Sequence, residues 1–271
     1  MQVLVHVLRA SISTKSRCGF TGADLLAGGF AHLLRWASVR KAPLALVSVA
    51  LAVAFAVALA GCGAGGAAEN GLTARTPTQI VAAARSAAAG AATVHVVGSI
   101  LAGRTPISLD MDLVSGKGGQ GRIALEGLSV RLVDIDKAVY INSGEAFYRR
   151  FAGAAAARRL QGKWLKGSAS GEALGALTSL TDLRTFMRQA LNAHGPLRRA
   201  REATVAGKMA IGVTDGARGG TLYVAATGTP YPLAIVEHGR THGELSFNKW
   251  NQPVSLEPPA DAINIKQLQS R

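Results

Sequence analysis

Cysteine is nearly absent from this chain, which has two in 271 residues, Cys18 and Cys62. No disulfide framework can form beyond Cys62, so a fold built there rests on packing alone. Aromatic residues make up 5% of the chain, too few to fill a large core with rings. Acidic residues are scarce too, 16 against 30 Lys+Arg, for a net charge of +14. Six histidines are scattered. His238 and His242 have the helical spacing of a metal pair but fall across Gly239-Arg240, between two expected strands, and His95 and His194 stand alone. Long apolar runs are missing, with one exception.

That exception begins at Ala42 and closes with Leu59-Ala60-Gly61-Cys62, preceded by Arg40-Lys41. Basic residues, an apolar stretch and a small-residue site are the anatomy of a secretory signal. A cysteine at the boundary has the form of a bacterial lipobox, so Cys62 is the expected lipidation site and mature N-terminus. The expected location is the extracytoplasmic face of the cell membrane, lipid-anchored. Each buried methylene contributes about 0.8 kcal/mol, and stable anchoring takes more than one acyl chain. An uncleaved transmembrane helix is the competing reading, since about 20 apolar residues span a bilayer. Residues 1–38 read as a start site assigned too early or as a short cytoplasmic extension, 39–61 as the signal, 62–72 as a Gly/Ala-rich flexible tether, and 73–271 as one domain.

Residues 1–61 hold six basic residues and one acid, which leaves 24 against 15 downstream, or +9. Such a surface is attracted to an anionic membrane within a Debye length of about 8–10 Å. Nucleic acid would use the same charge but is not an expected partner, because an exported protein rarely meets it. The basic clusters Arg149-Arg150, Arg158-Arg159 and Arg198-Arg199 with Arg201 read as solvated faces.

Within the domain, Thr76-Pro77-Thr78-Gln79 predicts a capped helix to about Ala89, with Ile80, Val81, Ala84 and Ala88 on one face. From Thr93 the period becomes two. Ile107, Leu109, Met111 and Leu113 alternate with polar residues, and Ile123/Leu125 and Leu128/Val130/Leu132 repeat the pattern. Lys137–Ile141 reads as a strand turning at Asn142-Ser143-Gly144 into a further strand at Ala146-Phe147-Tyr148. A second helix is expected over 180–193, with Ser179 and Asp182 as its start signal and Leu180, Leu183, Met187 and Leu191 on its buried face. Strands follow at about 198–206, 208–214, 220–226, 231–237, 243–248 and 262–265. Hairpin spacing makes the sheet largely antiparallel, and the class is α+β.

Catalytic motifs are weak. Gly61-Cys62-Gly63-Ala64-Gly65-Gly66 fits G-x-G-x-x-G but follows no strand. Gly167-Ser168-Ala169-Ser170-Gly171 lacks a central serine. Asp110/Asp112 and Asp134/Asp136 read as a solvent face and a hairpin end, without partners for acid–base work. Trp164 and Trp250 read as core or rim anchors. No enzyme activity, cofactor or metal is expected.

Lys137-Ala138-Val139-Tyr140-Ile141-Asn142, Gly162-Lys163-Trp164-Leu165-Lys166, Gly220-Thr221-Leu222-Tyr223-Val224, Pro230-Tyr231-Pro232-Leu233 and Leu245-Ser246-Phe247-Asn248-Lys249-Trp250, in that order and with the lipobox, resemble the LppX/LprAFG-type lipoproteins of actinobacteria. The resemblance implies a LolA-like fold, a strongly curved antiparallel half-barrel wrapping helices on its concave side around an apolar cavity. It implies a carrier or chaperone for acylated lipids or glycolipids, with an envelope transporter as partner. Inward apolar positions expected to line such a cavity, between the 180–193 helix and the sheet, are Leu109, Met111, Leu125, Leu132, Leu183, Met187, Leu222 and Val224. A tightly packed core has the same pattern, and a membrane-tethered interaction or sensory module without cargo is the alternative function.

Overall fold

Thr76 starts the first helix as its capping signals require. Its side chain accepts from the Gln79 amide at 3.3 Å, its own amide donates to Gln79 Oε1 at 3.0 Å, and Pro77 takes the first position. Helix α1 (Pro77–Ala89) buries Ile80, Val81, Ala84 and Ala88. The structure is a computed structural model that describes residues 68–271, apart from 103–104, 171–176, 194, 217–218, 238–242 and 270–271. The expected signal, Cys62, most of the tether, His194 and the His238/His242 pair lie outside the described residues.

After α1, five strands follow at hairpin spacing: β1 (Thr93–Ala102), β2 (Thr105–Val114), β3 (Gly118–Leu125), β4 (Leu128–Ile135) and β5 (Ala138–Ser143), each antiparallel to the last. Two short helices, α2 (Glu145–Ala152) and α3 (Ala154–Leu160), lead to β6 (Trp164–Ser168), which returns beside β5. Helices α4 (Thr178–Thr181) and α5 (Leu183–Ala190) precede β7 (Leu197–Arg199), β8 (Ala203–Val205), β9 (Lys208–Asp215), β10 (Gly220–Ala225), β11 (Pro232–Glu237) and β12 (Gly243–Asn248). The chain ends in β13 (Ile263–Asn264) and α6 (Ile265–Gln269). The 13 strands form one sheet in the order β13-β6-β5-β4-β3-β2-β1-β12-β11-β10-β9-β7, with β8 also on β9. Pairing of β1 with β12, Val96 opposite Phe247, joins the two halves. The β13–β6 pair is parallel and the other pairs are antiparallel.

A single core runs the width of this sheet. Val139 and Ile141 of β5, Met111 and Leu113 of β2, and Ile211 and Val224 of β9 and β10 belong to it, together with α1 and α5. Strands β5 and β9 stand eight places apart, about 38 Å in a flat sheet. A sheet sharing one core over that span curves around its helices. Helix α1 touches β7, β9 and α5, while α4 touches β2 and β3. Among the described residues, the core lies between Leu72 and Leu268.

Four elements differ from the sequence expectation, one of them the strand expected over 198–206, which is two short strands, β7 and β8. Phe147 and Tyr148 lie on helix α2, not on a strand: Gly144 precedes its first turn, Glu145 pairs with Arg149 one turn on, and the Phe147 and Phe151 rings meet at 4.8 Å. A three-residue window hid the helical spacing of 147, 148 and 151. The helix expected over 180–193 is broken at Asp182, whose extended backbone leaves the helix while its side chain accepts from the Thr185 amide at 2.8 Å to cap α5. The end of the expected tether is fixed: Asn70 donates to Ala225 O at 2.8 Å, and Leu72 is buried.

Candidate functional site

Inward alternation on β2, β3 and β4 lays an apolar wall across the sheet. Ile107 stands opposite Leu125, Ile123 opposite Val130, and Leu125 opposite Leu128. Toward β1 this wall is sealed, with Leu109, Met111, Leu113 and Val94 at most 3% exposed. Around the β3–β4 turn it is not. Ile123, Leu125, Leu128 and Val130 remain partly exposed although they face the core side.

Facing them, α2 supplies Phe147 and Phe151, and the start of α4 supplies Leu177 and Leu180. Leu132 and Ile141 form the floor, and Glu126, exposed in the β3–β4 turn, is the ionisable residue among these twelve. The empty space between them is about 730 Å³ with its solvent-open mouth included. The cavity volume itself is about 50 Å³. The site is therefore a narrow apolar slot.

The helices that close the slot are held by specific contacts. Thr181, wholly buried in α4, donates to Asp134 Oδ2 on β4 at 2.5 Å. Burial pushes the Asp134 carboxyl above the ordinary carboxylate range, with the Thr181 hydrogen bond acting against the shift and the charge of Asp182 adding to it. Gly119 on β3 permits the approach of α4: a Cβ there would lie 3.2 Å from Thr181 O, 2.8 Å from Asp112 O and 2.9 Å from Leu113 Cδ2. On the other side, Arg150 of α2 reaches Glu126 at 2.8 Å, across the mouth.

Of the residues expected to line a cavity, the structure brings Leu125 and Leu132 together in the slot. Leu109 and Met111 continue the inward row of β2 in the closed core. Leu183 and Met187 are buried on α5, and Leu222 and Val224 on β10, in the half of the sheet away from the slot. Ile107, Ile123, Leu128 and Val130 are legible as inward strand positions. Phe147 and Phe151 are not, because 146–148 reads as a short strand and leaves Phe151 outside it. Asp134, expected at a hairpin end, is instead a buried polar anchor, and the signal for it was its place two residues after inward-facing Leu132.

A second, polar concavity lies at His95, Asp112, Gln120, Lys249 and Gln252–Ser255. His95 Nδ1 meets Asp112 Oδ1 at 2.8 Å, and its Nε2 is 3.6 Å from Asp110. Trp164 and Trp250 are both partly buried anchors: Arg131 lies over the Trp164 ring at 5.2 Å, and Trp250 stacks on Tyr231 at 4.5 Å while its indole donates to Pro232 O. Among the described residues no cluster of three or more His, Cys, Asp or Glu could hold a metal ion, and no helix is long and apolar enough to cross a membrane.

No family model matches this chain, and no curated protein does. Among solved structures it is similar to LprF from Mycobacterium bovis, at 14% identity over 68% of this chain and 97% of that one, with a TM-score of 0.49. It is also similar to the lipoprotein LppX of Mycobacterium tuberculosis, at 16% identity over 67% of this chain and 100% of that one, with a TM-score of 0.42. A putative outer membrane lipoprotein-sorting protein domain from Vibrio parahaemolyticus follows at 10% identity, 66% and 95% coverage and a TM-score of 0.25. The first two names fall within the group that the sequence segments resemble. These TM-scores all lie below 0.5, and neither role nor cargo follows from them.

Proposed function

We propose that this domain binds the hydrocarbon chain of an acylated lipid or glycolipid in the slot between β2–β5, α2 and α4, as a membrane-anchored carrier. The observation that carries the reading is the half-exposed apolar wall Ile123, Leu125, Leu128 and Val130, faced by Phe147, Phe151 and Leu180. A packed core closes over such residues, whereas here they border empty space. Covering them with an acyl chain gains about 25 cal/mol per Å² of apolar area removed from water, less the cost of ordering the chain.

Leu125 and Leu132 would contact the chain directly. Leu109 and Met111 extend the same face and would be reached by a longer chain that displaces α4. Leu183, Met187, Leu222 and Val224 would support the fold beneath. The reading is of a binding protein without covalent chemistry, because the slot places apolar side chains and no nucleophile–base pair against its occupant. Acylation at Cys62 would hold the domain at the membrane that supplies cargo, and an envelope transporter would be the acceptor or donor.

The narrowness of the slot favours one alternative, a membrane-tethered interaction or sensory module whose interior carries nothing. Native mass spectrometry of residues 68–271, with lipid extraction of the same preparation, separates the two. The carrier reading expects added mass that extracts as acyl lipid, and uptake of a fluorescent fatty-acyl probe. An empty domain that takes up no probe overturns it and leaves the module.

A further inference from the structure

The arginines beside the slot are not distributed as an ordinary solvated surface. Helices α2 and α3 form a hairpin joined at Gly153, which adopts a φ of +85°. Its tip, Ala152, Gly153, Ala154 and Ala155, is exposed and uncharged. Arg149-Arg150 on one side and Arg158-Arg159 on the other flank this tip, and all four are exposed. Arg149 and Arg150 pair with Glu145 and Glu126, whereas Arg158 and Arg159 have no ion-pair partner among the described residues. With exposed Lys163, five cations face two carboxylates.

We propose that this hairpin is the surface by which the domain docks on an anionic lipid bilayer. A tip with no side chain larger than a methyl, set between basic pairs, lets the guanidinium groups come close to lipid phosphates. The inference rests on the lipid-binding reading for its purpose, because the same helix α2 carries Phe147 and Phe151 of the slot wall. Docking there sets the slot mouth, marked by Glu126, against the membrane. Arg150 holds Glu126 across that mouth and lies over the Phe151 ring at 5.9 Å. A lipid phosphate is a competing partner for Arg150, so docking loosens the contact that spans the mouth.

The other exposed basic group, Arg198 and Arg201, lies on and just after β7, at the opposite edge of the sheet, and serves as the control. Residues 68–271 are sedimented with vesicles of phosphatidylcholine alone and of phosphatidylcholine with phosphatidylglycerol. Binding is expected to the mixed vesicles only and to weaken with salt. The double variant Arg158→Glu, Arg159→Glu should reduce it at least tenfold, and Arg198→Glu, Arg201→Glu should change it far less. A fluorophore on Ala154→Cys, in a domain with no other cysteine, should shift to the blue on mixed vesicles. Equal binding by the hairpin variant and the wild type, equal loss in both double variants, or an unshifted fluorophore on bound protein overturns the docking surface. Probe uptake from solution should be unchanged in the hairpin variant; a wild type that takes up no probe counts against the slot reading, while sedimentation still decides the docking.

Discussion

Thr181 in α4 donates its hydroxyl hydrogen to Asp134 in β4 at 2.5 Å, beneath the helix whose first turn closes the apolar slot. Asp134 is 8% exposed and Thr181 wholly buried, so this polar pair sits inside an otherwise apolar layer. Thr181 also approaches the Thr178 carbonyl at 3.1 Å. The pair fixes where α4 lands on the sheet, and thereby where Leu177 and Leu180 face Leu128 and Val130.

A pH dependence follows from the raised Asp134 value, whose main cause is burial. Between the ordinary carboxylate value and the higher folded one, the native state holds a proton that the unfolded chain has lost. Stability therefore falls as pH rises through that window and is flat above it. Asp134→Asn does not titrate, so the wild type should gain on it as pH falls through the window. Denaturant midpoints of both proteins across that range test this, and parallel curves would contradict it. Thr181→Val leaves the carboxylate without its donor and should cost about 1–3 kcal/mol at neutral pH.

Gly119 makes a sharper demand on space. A Cβ there would lie 2.8 Å from the Asp112 carbonyl oxygen, a backbone atom that cannot swing aside. Gly119→Val should destabilise the domain by about 1–3 kcal/mol or more, as overpacking does. It should also lift α4 and enlarge the slot, which a bulkier acyl probe would report as tighter binding. Thermal unfolding with probe titration measures both, and an unchanged melting temperature would show that α4 does not approach as described.

How much of this was legible in the sequence varies by element. Thr76, Pro77 and Gln79 announce α1 because capping chemistry is local. The alternation from Ile107 to Leu132 announces β2–β4 because one face of each strand is buried. Helix α2 was hidden: its eight residues carry three aromatics, Phe147, Tyr148 and Phe151, whose β propensity only tertiary context overrides. The break at Asp182 was equally ambiguous, since the same Asp can sit inside a helix start or be the cap itself. The slot depends on where α2 and α4 stop covering the wall, and a pattern of inward residues looks the same over a closed core and an open one. Hence Leu125 and Leu132 fell on the slot while Leu183 and Val224 fell in the sealed core.

Processing at Cys62 is expected from Leu59-Ala60-Gly61-Cys62 at the end of the apolar run. Cys62→Ala should leave a precursor of higher mass with no acyl-modified N-terminal peptide. Mass spectrometry of membrane fractions checks it. A mature protein that retains residues 45–60 would show that the segment is not removed.

Filling the slot separates an open site from a packed core in one variant. Val130 lies on the slot wall and remains partly exposed, bordering the space shared with Leu128, Phe151 and Leu180. If that space is a binding site, Val130→Trp places an indole where the acyl chain would lie. Probe affinity should then fall at least tenfold, about 1.4 kcal/mol, with little change in unfolding free energy because the ring occupies existing room. If the interior is instead closed and cargo-free, the same indole overpacks it, and the cost is about 1–3 kcal/mol of stability with no probe binding to lose. Phe151→Ala probes the opposite direction. Removing a half-buried ring from the mouth widens it, so longer probes should enter faster while the fold loses less than the roughly 3–5 kcal/mol typical of a fully buried phenylalanine. Stopped-flow probe entry and chemical denaturation of both variants supply the numbers. Slower entry in Phe151→Ala, or unchanged affinity in Val130→Trp, would place the occupant elsewhere than this slot.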